Sequence, residues 1–255
     1  MLEGYGGKVL ELLLGFVFLA LAWMAPARVM RGRLEIGWDV AGLVTFVAVS
    51  ALLAPVLEGW AYPLTVGLPG LRDWVRWVES WPAWLLVPLN LLVADLALYW
   101  AHRALHLRGL WSTHAWHHSP SYLYFLSGMR NSPVETLAMT GPATAAYVLM
   151  PFPDGALMAF GIAMLYAANA HFTHTNMRVP FTEQIEWVLA TPRFHFVHHC
   201  EDQRYSDTNY GFVFTFWDRL FGTYTDPAQV PADAPLGLNY SATRWRLLLG
   251  LPEPR

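Results

Sequence analysis

Residues 84–106 read WLLVPLNLLVADLALYWAHRALH, an apolar run that ends in two histidines four residues apart. Between Trp84 and Ala101 the only charged residue is Asp95. A run of about 18 residues is near the lower limit for a helix that crosses a bilayer. His102 and His106 follow directly and share one helical face, because about 3.6 residues per turn align positions i and i+4. The stretch therefore predicts a membrane-spanning helix that carries a pair of imidazoles to one membrane surface.

Three further apolar stretches predict additional helices in the membrane. Val9 to Ala27 and Thr136 to Ala170 each contain one charged residue, and Val40 to Leu57 contains none. The stretch Pro151–Gly155 predicts a turn that divides the last run into a hairpin, with arms about 22 Å long at about 1.5 Å per residue. Such a hairpin either crosses a thinned bilayer or dips in and returns. We therefore predict an all-α integral membrane protein with about four transmembrane helical elements.

The overall composition agrees with a membrane protein. Charged residues make up 14% of the 255 residues, and the mean hydropathy is +0.30, whereas soluble domains contain about 25% charged residues. A net charge of −3 without a basic run lacks the electrostatic surface that nucleic-acid binding needs, so we expect no nucleic-acid partner. The single cysteine, Cys200, permits neither an intrachain disulfide nor a thiolate cluster, so a metal site would use nitrogen or oxygen ligands.

The basic residues predict how the chain is oriented. Thirteen of the sixteen follow the first span or lie from His102 onward outside the hairpin, and only Lys8, Arg72 and Arg76 lie on the other face. The positive-inside rule then places the histidine-rich part as a cytoplasmic cap, on a bacterial inner membrane or the endoplasmic reticulum. A cleaved signal peptide is the alternative for the first span, because Ala25-Pro26-Ala27 resembles a cleavage site, but three arginines just beyond it oppose translocation.

The histidines predict the site of the chemistry. All ten lie within residues 102–199, as an H-x-x-x-H pair, two H-x-x-H-H boxes and an H-x-x-H pair at the end of the hairpin. The predicted metal ligands are His102, His106, His114, His117, His118, His171, His174, His195, His198 and His199. His171 has an alternative role as an interfacial histidine or as support for a ligand. One ion accepts four to about six ligands, so two ions are the economical number, and imidazole alone does not choose among iron, copper, nickel and zinc.

Several other kinds of metal protein use histidines in different patterns. The absence of H-E-x-x-H disfavours a zinc protease, and the absence of histidines inside the predicted spans disfavours a membrane cytochrome. A metal transporter or sensor should place histidines along a path within the spans. A zinc-dependent membrane hydrolase remains an alternative, and it would need neither O2 nor a reductant.

Longer motifs surround the histidines. Residues 95–106 read DLALYWAHRALH, 111–119 WSTHAWHHS, 174–176 HTN, 191–199 TPRFHFVHH, 209–211 NYG and 217–224 WDRLFGTY. In order and spacing, residues 90–225 resemble the fatty acid hydroxylase/sterol desaturase superfamily of membrane non-haem di-iron oxidases. Residues 117–122 (HHSPSY) and 129–132 (MRNS) are most similar to its alkylglycerol monooxygenase-like and bacterial sterol desaturase-like branch.

The resemblance implies a chemistry and its cofactors. It implies two iron ions held by the histidine boxes, O2 as co-substrate, and electrons from a separate protein of the cytochrome b5 or ferredoxin type. The reaction would be the hydroxylation or desaturation of a C–H bond in a membrane lipid such as a sterol, an alkylglycerol or a fatty acyl lipid. An apolar substrate agrees with a site at the foot of membrane helices, because such molecules partition into the bilayer.

Metal-bound imidazoles need an acceptor for their second ring N–H. The nearby candidates are Asp95, Glu135, Glu183, Glu186, Asp202, Asp207 and Asp218. Asp95 is favoured as the support for a metal-binding histidine, because it lies inside a span and on the helical face of His102; a structural hydrogen bond to arginine or backbone is the alternative. Arg103, Arg130 and Arg193 are predicted to be ordinary arginines of the membrane edge.

The chain is predicted to contain three parts. Residues 1–83 carry the first spans and an interfacial helix, whose Trp74, Trp77, Val78 and Trp81 share one face. Residues 84–225 form the di-iron catalytic domain. Residues 226–255 form a proline-rich tail, predicted to be loosely ordered with at most a short surface helix around Arg244–Leu249.

Overall fold

A computed structural model describes residues 2–30, 32–151 and 155–252. Within these ranges the chain forms helices and short 3-10 turns but no strand, so the predicted all-α class is confirmed. In chain order the helices are α1 Leu2–Met24, α2 Ile36–Gly67, α3 Pro69–Glu79, α4 Ala83–Leu105, α5 Trp111–His114, α6 Pro133–Leu149, α7 Gly155–Thr173, α8 Thr182–Ile185, α9 Pro192–His198, α10 Gln203–Ser206, α11 Phe216–Leu220 and α12 Arg244–Leu248.

The long helices coincide with the predicted apolar runs. Two segments are long and apolar enough to cross a membrane, namely Ile36–Leu57 within α2 and the whole of α4. In α1 the apolar part is the shorter stretch Leu10–Met24. Helix α2 continues past Leu57 to Gly67 although it contains two prolines. Each proline removes one backbone hydrogen-bond donor, which can kink a helix, but the helix continues through both.

The two arms of the predicted hairpin are present as α6, which packs against α2 and α4, and α7, which packs against α1; residues 152–154 of the predicted turn lie outside the described ranges. Helix α6 begins at Pro133, three residues before the apolar run, because Ser132 and Glu135 form a capping box. Ser132 Oγ accepts from Glu135 N at 3.1 Å, and the Glu135 carboxylate accepts from Ser132 N at 3.4 Å. This satisfies two amides at the helix start. The box also fixes Glu135 at the end of the hairpin that faces the histidines.

Helix α4 contacts both arms of the hairpin. At the end of α6, Asn90 Nδ2 donates to the carbonyl oxygens of Ala146 and Met150 at 3.4 and 3.1 Å. From α7, Tyr166 Oη donates to Leu91 O at 3.2 Å. Carbonyls at a helix end lack intrahelical donors, so Asn90 supplies a partner that an apolar environment does not.

The short helix α3 carries the predicted tryptophan face. Its Val78 is buried, while the rings of Trp74, Trp77 and Trp81 pack against one another with centroids 4.8 to 6.3 Å apart. Trp74 Nε1 donates to Leu149 O at 2.8 Å, which ties α3 to the end of α6. The helix therefore lies at the ends of the apolar helices that are remote from the histidines.

A buried ionic network attaches the start of α2 to the histidine-rich segment. Arg130 Nε donates to Asp39 Oδ1 at 2.6 Å, and Arg130 Nη1 donates to Glu35 Oε2 at 3.1 Å. Tyr124 Oη donates to the other Asp39 oxygen at 2.7 Å, and the Arg130 guanidinium lies 4.6 Å from the centre of the Trp116 ring. Because Arg130 is fully buried, its prediction as an ordinary membrane-edge arginine is wrong. Two carboxylates compensate its charge inside the protein.

Arg130→Met is expected to lower the free energy of unfolding by about 3–5 kcal/mol, because it leaves the Asp39 carboxylate buried without a counter-charge. The measurement is equilibrium unfolding of the detergent-solubilised protein. Arg244→Met is the matched control, since Arg244 pairs with Glu35 at 2.9 Å where both side chains are partly exposed, and such a pair contributes about 0–1 kcal/mol. Equal, small losses in both variants would contradict a structural role for the buried pair.

The C-terminal segment packs against the rest of the protein. Leu236 is buried with Leu123, Phe196 and Cys200, and Leu247 fills a second apolar cluster. Gly237 N donates to His199 O at 3.1 Å. The short helix α12 confirms the predicted surface helix, but the prediction of a loosely ordered tail is wrong for residues 226–252. A few leucines spaced between prolines supply enough apolar burial to order it, which composition does not reveal.

Candidate metal centre

Nine of the ten histidines form two groups, and within each group one ring nitrogen per histidine lies within 4.8 Å of the others. Group one consists of His102, His106, His114, His118 and His198. Group two consists of His117, His174, His195 and His199. All are buried except His106, which is partly exposed. The structure thus brings together nine of the ten sequence-predicted ligands.

The histidines of each H-x-x-H-H box divide between the two groups. In the first H-x-x-H-H box, His114 and His118 belong to group one and His117 to group two. In the second box, His195 and His199 belong to group two and His198 to group one. The second box lies on α9 and its C-cap His199, where position i+4 lies about 40° to one side of position i and i+3 about 60° to the other. The first box begins at His114, the last residue of α5, and continues through a turn in which His117 N and His118 N both donate to His114 O. Each box therefore contributes ligands to both groups and holds them side by side.

The facing ring nitrogens lie at distances suited to a shared metal ion. In group one the Nε2–Nε2 distances are 3.1 Å for His102–His114 and 3.2 Å for His114–His118. In group two they are 3.2 Å for His117–His174 and 3.1 Å for both His174–His195 and His195–His199. Nitrogen ligands at about 2.1 Å from one ion lie roughly 3.0–3.4 Å from each other in octahedral or tetrahedral arrangements. The spacing fits one ion in each group.

The hydrogen bonds of Nδ1 show which nitrogen of each imidazole carries the lone pair. The Nδ1 atoms of His102, His174 and His198 lie 2.7 to 2.9 Å from the backbone carbonyls of Tyr210, Ala170 and Thr208. A carbonyl can only accept, so each Nδ1 carries the proton and each Nε2 carries a lone pair.

Lone pairs that face one another at this distance repel unless a cation lies between them. His114 Nδ1 lies 2.8 Å from Glu135 Oε1, so the His102 and His114 Nε2 atoms both present lone pairs across 3.1 Å. In the same group the Nε2 atoms of His106 and His198 are buried and make no hydrogen bond. Buried polar atoms without partners are rare in folded proteins. Two metal ions would satisfy these nitrogens.

Burial keeps these imidazoles in the form that binds metal. Loss of solvation, with a smaller effect of the neighbouring imidazoles, holds the pKa well below its ordinary value for His114, His117, His118, His195, His198 and His199. These side chains are therefore neutral at pH 7. A neutral imidazole is the ligand form, so metal binding does not have to displace a proton from them.

Two carboxylates contact the imidazoles directly. Glu135 Oε1 lies 2.8 Å from His114 Nδ1 and 3.7 Å from His117 Nδ1, so one buried carboxylate is close to both groups. Asp207 Oδ1 lies 3.1 Å from His106 Nδ1. Both were among the candidate acceptors. Neither could be selected from the sequence, because the partners lie up to 101 positions apart.

Asp95, the favoured acceptor, has a different role. Its oxygens accept from Val213 N at 2.9 Å, from Phe214 N at 3.0 Å and from Trp217 Nε1 at 3.0 Å. The prediction that it supports a metal-binding histidine is therefore corrected in favour of the alternative, a structural bond to backbone. The seven positions between Asp95 and His102 amount to about 10 Å along the helix, which is beyond the reach of a short side chain.

Asp218 holds the loop that positions His102. Its carboxylate accepts from Tyr210 N at 2.8 Å and from Gly211 N at 2.7 Å, and the Tyr210 carbonyl accepts from the His102 ring. Burial raises the pKa of Asp218 to about 6, although these hydrogen bonds partly oppose the shift. Asp218 therefore acts on the imidazole through the backbone rather than by direct contact.

His171 lies outside both groups. Its Nδ1 lies 3.2 Å from Phe125 O, and its Nε2 lies 3.5 Å from Glu11 Oε1 of α1. The metal-ligand prediction for His171 is not supported by this placement, and the alternative of a supporting or interfacial histidine agrees with it. His171 lies in the last turn of α7, and its ring contacts Glu11 of α1 instead of the histidine groups, whereas His174 follows the end of α7.

Comparison with known protein families identifies the family of this chain. The family model described as fatty acid hydroxylase matches residues 87–223, more than half of the chain. The chain belongs to the fatty acid hydroxylase family. This match includes all ten histidines together with Glu135, Asp207 and Asp218.

Several curated relatives of this fatty acid hydroxylase family chain are lipid-oxidising enzymes. The ornithine lipid hydroxylase OlsE of Rhizobium tropici is 29% identical over 185 residues, covering 71% of this chain and 55% of that protein. Alkylglycerol monooxygenase of Danio rerio is 31% identical over 149 residues, covering 58% and 31%. The Xenopus tropicalis alkylglycerol monooxygenase is 26% identical over 212 residues, covering 82% and 44%.

The matches cover only part of each relative's length. The chain spans between about a third and just over half the length of the three relatives named above. No solved structure matches it. The relatives confirm the predicted superfamily and its alkylglycerol branch.

Gly128 is a site residue that the motifs did not indicate. A Cβ added there would lie 2.6 Å from His174 Cγ and 2.7 Å from His174 Nδ1. Real Cβ atoms essentially never lie so close to another atom, so the Gly128 backbone packs directly against the His174 ring and leaves no space for a side chain. A lone glycine in a loop offers no sequence signal for such a contact.

Gly128→Ala is expected to displace the His174 imidazole and to remove the group two ion, so that metal content falls from about two ions per chain to about one. Gly141→Ala is the matched control, since a Cβ there meets nothing within 4 Å and alanine favours a helix interior. Metal content per chain is measured by mass spectrometry on both purified variants. Full occupancy in Gly128→Ala would show that His174 tolerates the displacement or is not a ligand.

Proposed function

We propose that this protein is an integral membrane, iron- and O2-dependent oxidase that hydroxylates or desaturates a C–H bond of a membrane lipid. The observation that carries the proposal is the pair of histidine groups, whose buried, neutral imidazoles face one another at 3.1 to 3.2 Å in a chain of the fatty acid hydroxylase family. The proposed ions are iron. Group one would hold one ion through five histidines, and group two would hold the other through four.

The chain's own residues prepare this site. When bound, a pair of iron ions would supply the power to oxidise an unactivated C–H bond with O2 and electrons from a separate protein of the cytochrome b5 or ferredoxin type. Glu135, Asp207 and the Tyr210 carbonyl orient the imidazoles through their second ring nitrogens. Such partners fix ring orientation and raise ligand basicity. The burial of both groups keeps bulk water from the reacting centre.

The proposed substrate is a membrane lipid, such as a sterol, an alkylglycerol or a fatty acyl lipid. Relatives named for an ornithine lipid and for alkylglycerols support this class. Its reacting carbon would reach the histidine groups from the bilayer, because these groups lie at the ends of α4 and α7. An apolar molecule partitions into the hydrocarbon layer and needs no soluble carrier to arrive there.

The proposed topology follows the sequence prediction. Helices α1, α2 and α4 and the α6–α7 hairpin would form about four membrane elements, with the histidine groups as a cap on the cytoplasmic face of a bacterial inner membrane or the endoplasmic reticulum. We retain residues 1–83 as the N-terminal membrane part and 84–225 as the catalytic domain. We retain residues 226–255 as the third part, and the packing of residues 226–252 supports assigning those residues to the cap.

Metal content of the detergent-purified protein tests the proposal before any substrate is known. We expect about two irons per chain, and O2 consumption that depends on both a reductant and added lipid. Sterols, alkylglycerols and fatty acyl lipids would be screened in parallel. Stoichiometric zinc after growth in iron-replete medium, with turnover in the absence of O2, would overturn the proposal and favour the membrane hydrolase. Metal uptake into vesicles without lipid oxidation would favour the transporter.

A further inference from the structure

We propose that a second part of the protein enters the bilayer although it belongs to no apolar helix: a wedge formed by residues 187–190 and 212–220, whose partner is the acyl-chain region of the membrane. The inference rests on the proposed crossing of α4 and not on the identity of the metal. Sequence patterns assign this wedge to the water-exposed cap, because it contains neither a helix-length apolar run nor a strong amphipathic repeat.

The two segments of the wedge are joined by backbone hydrogen bonds. Ala190 N donates to Val213 O at 2.8 Å, and Thr215 N donates to Val188 O at 3.0 Å. These bonds flank the β-bridge between Leu189 and Phe214. The segments therefore form one unit, and whatever fixes the depth of one of them fixes the depth of both.

Side chains of the membrane helices fix that depth. Asp95, which binds the amides of Val213 and Phe214, lies ten residues before the end of α4, about 15 Å along a helix of about 34 Å. From the side of α7, Asn169 Nδ2 donates to Phe212 O at 2.7 Å. The predicted span of α4 ends at Ala101, about 9 Å beyond Asp95 at about 1.5 Å per residue, so the wedge is attached to α4 inside the proposed span.

The outer surface of the wedge is apolar and exposed. Trp187 and Leu220 are each 66% exposed, Val188 50% and Leu189 44%. Exposed aliphatic and indole groups are favourable in hydrocarbon and unfavourable in water. Because the wedge is attached to α4 at Asp95, these exposed side chains would be able to contact lipid tails. Their exposure is then explained without a protein partner.

One arginine packs on this surface. The Arg219 guanidinium stacks 4.7 Å from the Trp187 ring centre and 3.9 Å from that of Tyr224, and its Nη1 donates to Thr215 Oγ1 at 3.1 Å. Long basic side chains of this kind extend from an apolar surface toward the headgroups. The Arg219 charge can therefore reach the headgroups while the neighbouring Trp187 and Leu220 side chains lie in the apolar layer.

The inference also explains a carboxylate inside an apolar helix. Irregular backbone at membrane depth is tolerated only where other protein groups satisfy its N–H groups. Asp95 accepts from two backbone amides and from the Trp217 indole of the wedge. A carboxylate within a span is costly unless it has such partners. Asp95 and the wedge amides thus stabilise each other in an apolar environment.

Site-directed spin labelling tests the wedge in the full-length protein. Leu189→Cys and Leu220→Cys are labelled with a nitroxide after reconstitution into vesicles of phosphatidylcholine and phosphatidylglycerol. Collision rates with O2 and with a water-soluble nickel chelate give the depth of each label. Val93→Cys on the exposed face of α4 is the lipid reference, and Arg204→Cys on the cap is the water reference. The unsubstituted protein, whose Cys200 is buried, gives the labelling background.

We expect both wedge labels to behave like Val93→Cys, with O2 collisions several-fold above those with nickel. Nickel collisions as frequent as at Arg204→Cys would overturn the inference while leaving the crossing of α4 intact. Frequent nickel collisions at Val93→Cys itself would overturn the proposed crossing and the wedge with it. Because two wedge positions lie on different segments, failure of one variant to reconstitute leaves the other to decide.

Discussion

His198→Ala and His117→Ala are each expected to abolish lipid oxidation and to remove about one of the two metal ions. The His198 ring centre lies 4.5 and 4.6 Å from those of His102 and His118, whereas His117 Nε2 lies 3.2 Å from His174 Nε2. The two substitutions therefore affect different groups. Removing a residue that hydrogen-bonds to a ligand lowers metal affinity or activity by about 10–100-fold. Removing a ligand itself should therefore reduce turnover by at least about 10²-fold.

Metal stoichiometry and turnover would be measured on the same preparations. His171→Ala is the matched control, because this imidazole lies in the same part of the protein but outside both groups, and it should retain both ions. A His198→Ala or His117→Ala protein that keeps two ions and normal turnover would refute the site assignment. Loss of metal from His171→Ala would instead place a tenth imidazole in the centre.

Glu135→Ala is expected to weaken metal binding in both groups, by about 10–100-fold. One Glu135 oxygen lies 2.8 Å from His114 Nδ1 in group one and 3.7 Å from His117 Nδ1 in group two. The substitution also removes half of the capping box with Ser132, at the start of α6. A buried imidazole N–H without an acceptor then costs about 1–3 kcal/mol. Metal affinity is measured by titration of the metal-free protein.

Two further variants separate these contributions. Glu135→Gln keeps an oxygen that can accept from His114 and a side chain that can reach Ser132 N, so its loss of affinity should be smaller than that of Glu135→Ala. Asp207→Ala removes the acceptor of His106 alone, and the Asp207 carboxylate is more than half exposed, so its effect should be small and limited to group one. Equal affinity in Glu135→Ala and the unsubstituted protein would contradict its link to both groups.

The sequence could indicate which imidazoles lie near one another because their spacing is local. Although His171 and His174 show that an i, i+3 spacing does not bring every such pair to one site, an i, i+3 or i+4 spacing places imidazoles near one another. This holds for the two boxes, which the structure uses almost unchanged. Apolar runs are local in the same sense, so the helices could be located from their composition, and the turn-forming residues 151–155 predicted the division of the last run into two arms.

The roles of Asp95, Arg130 and His171 were not accessible in this way. Each depends on which segment packs beside it: the loop at Val213 for Asp95, the start of α2 for Arg130, and α1 for His171. A helical-face argument correctly placed Asp95 and His102 on one side of α4. It did not include the distance along the axis, which excludes contact between them.

By itself, the sequence determined the all-helical class, the position of the apolar helices and the set of imidazoles, because these follow from periodicity and composition within about one or two helical turns. Only the tertiary structure decided how each box divides between two groups, which carboxylates orient the rings, and where the chain outside the spans lies against α4. Those features are set by contacts between residues 21 to 119 positions apart. Such contacts form only when helices pack, and no local pattern encodes which partners then meet.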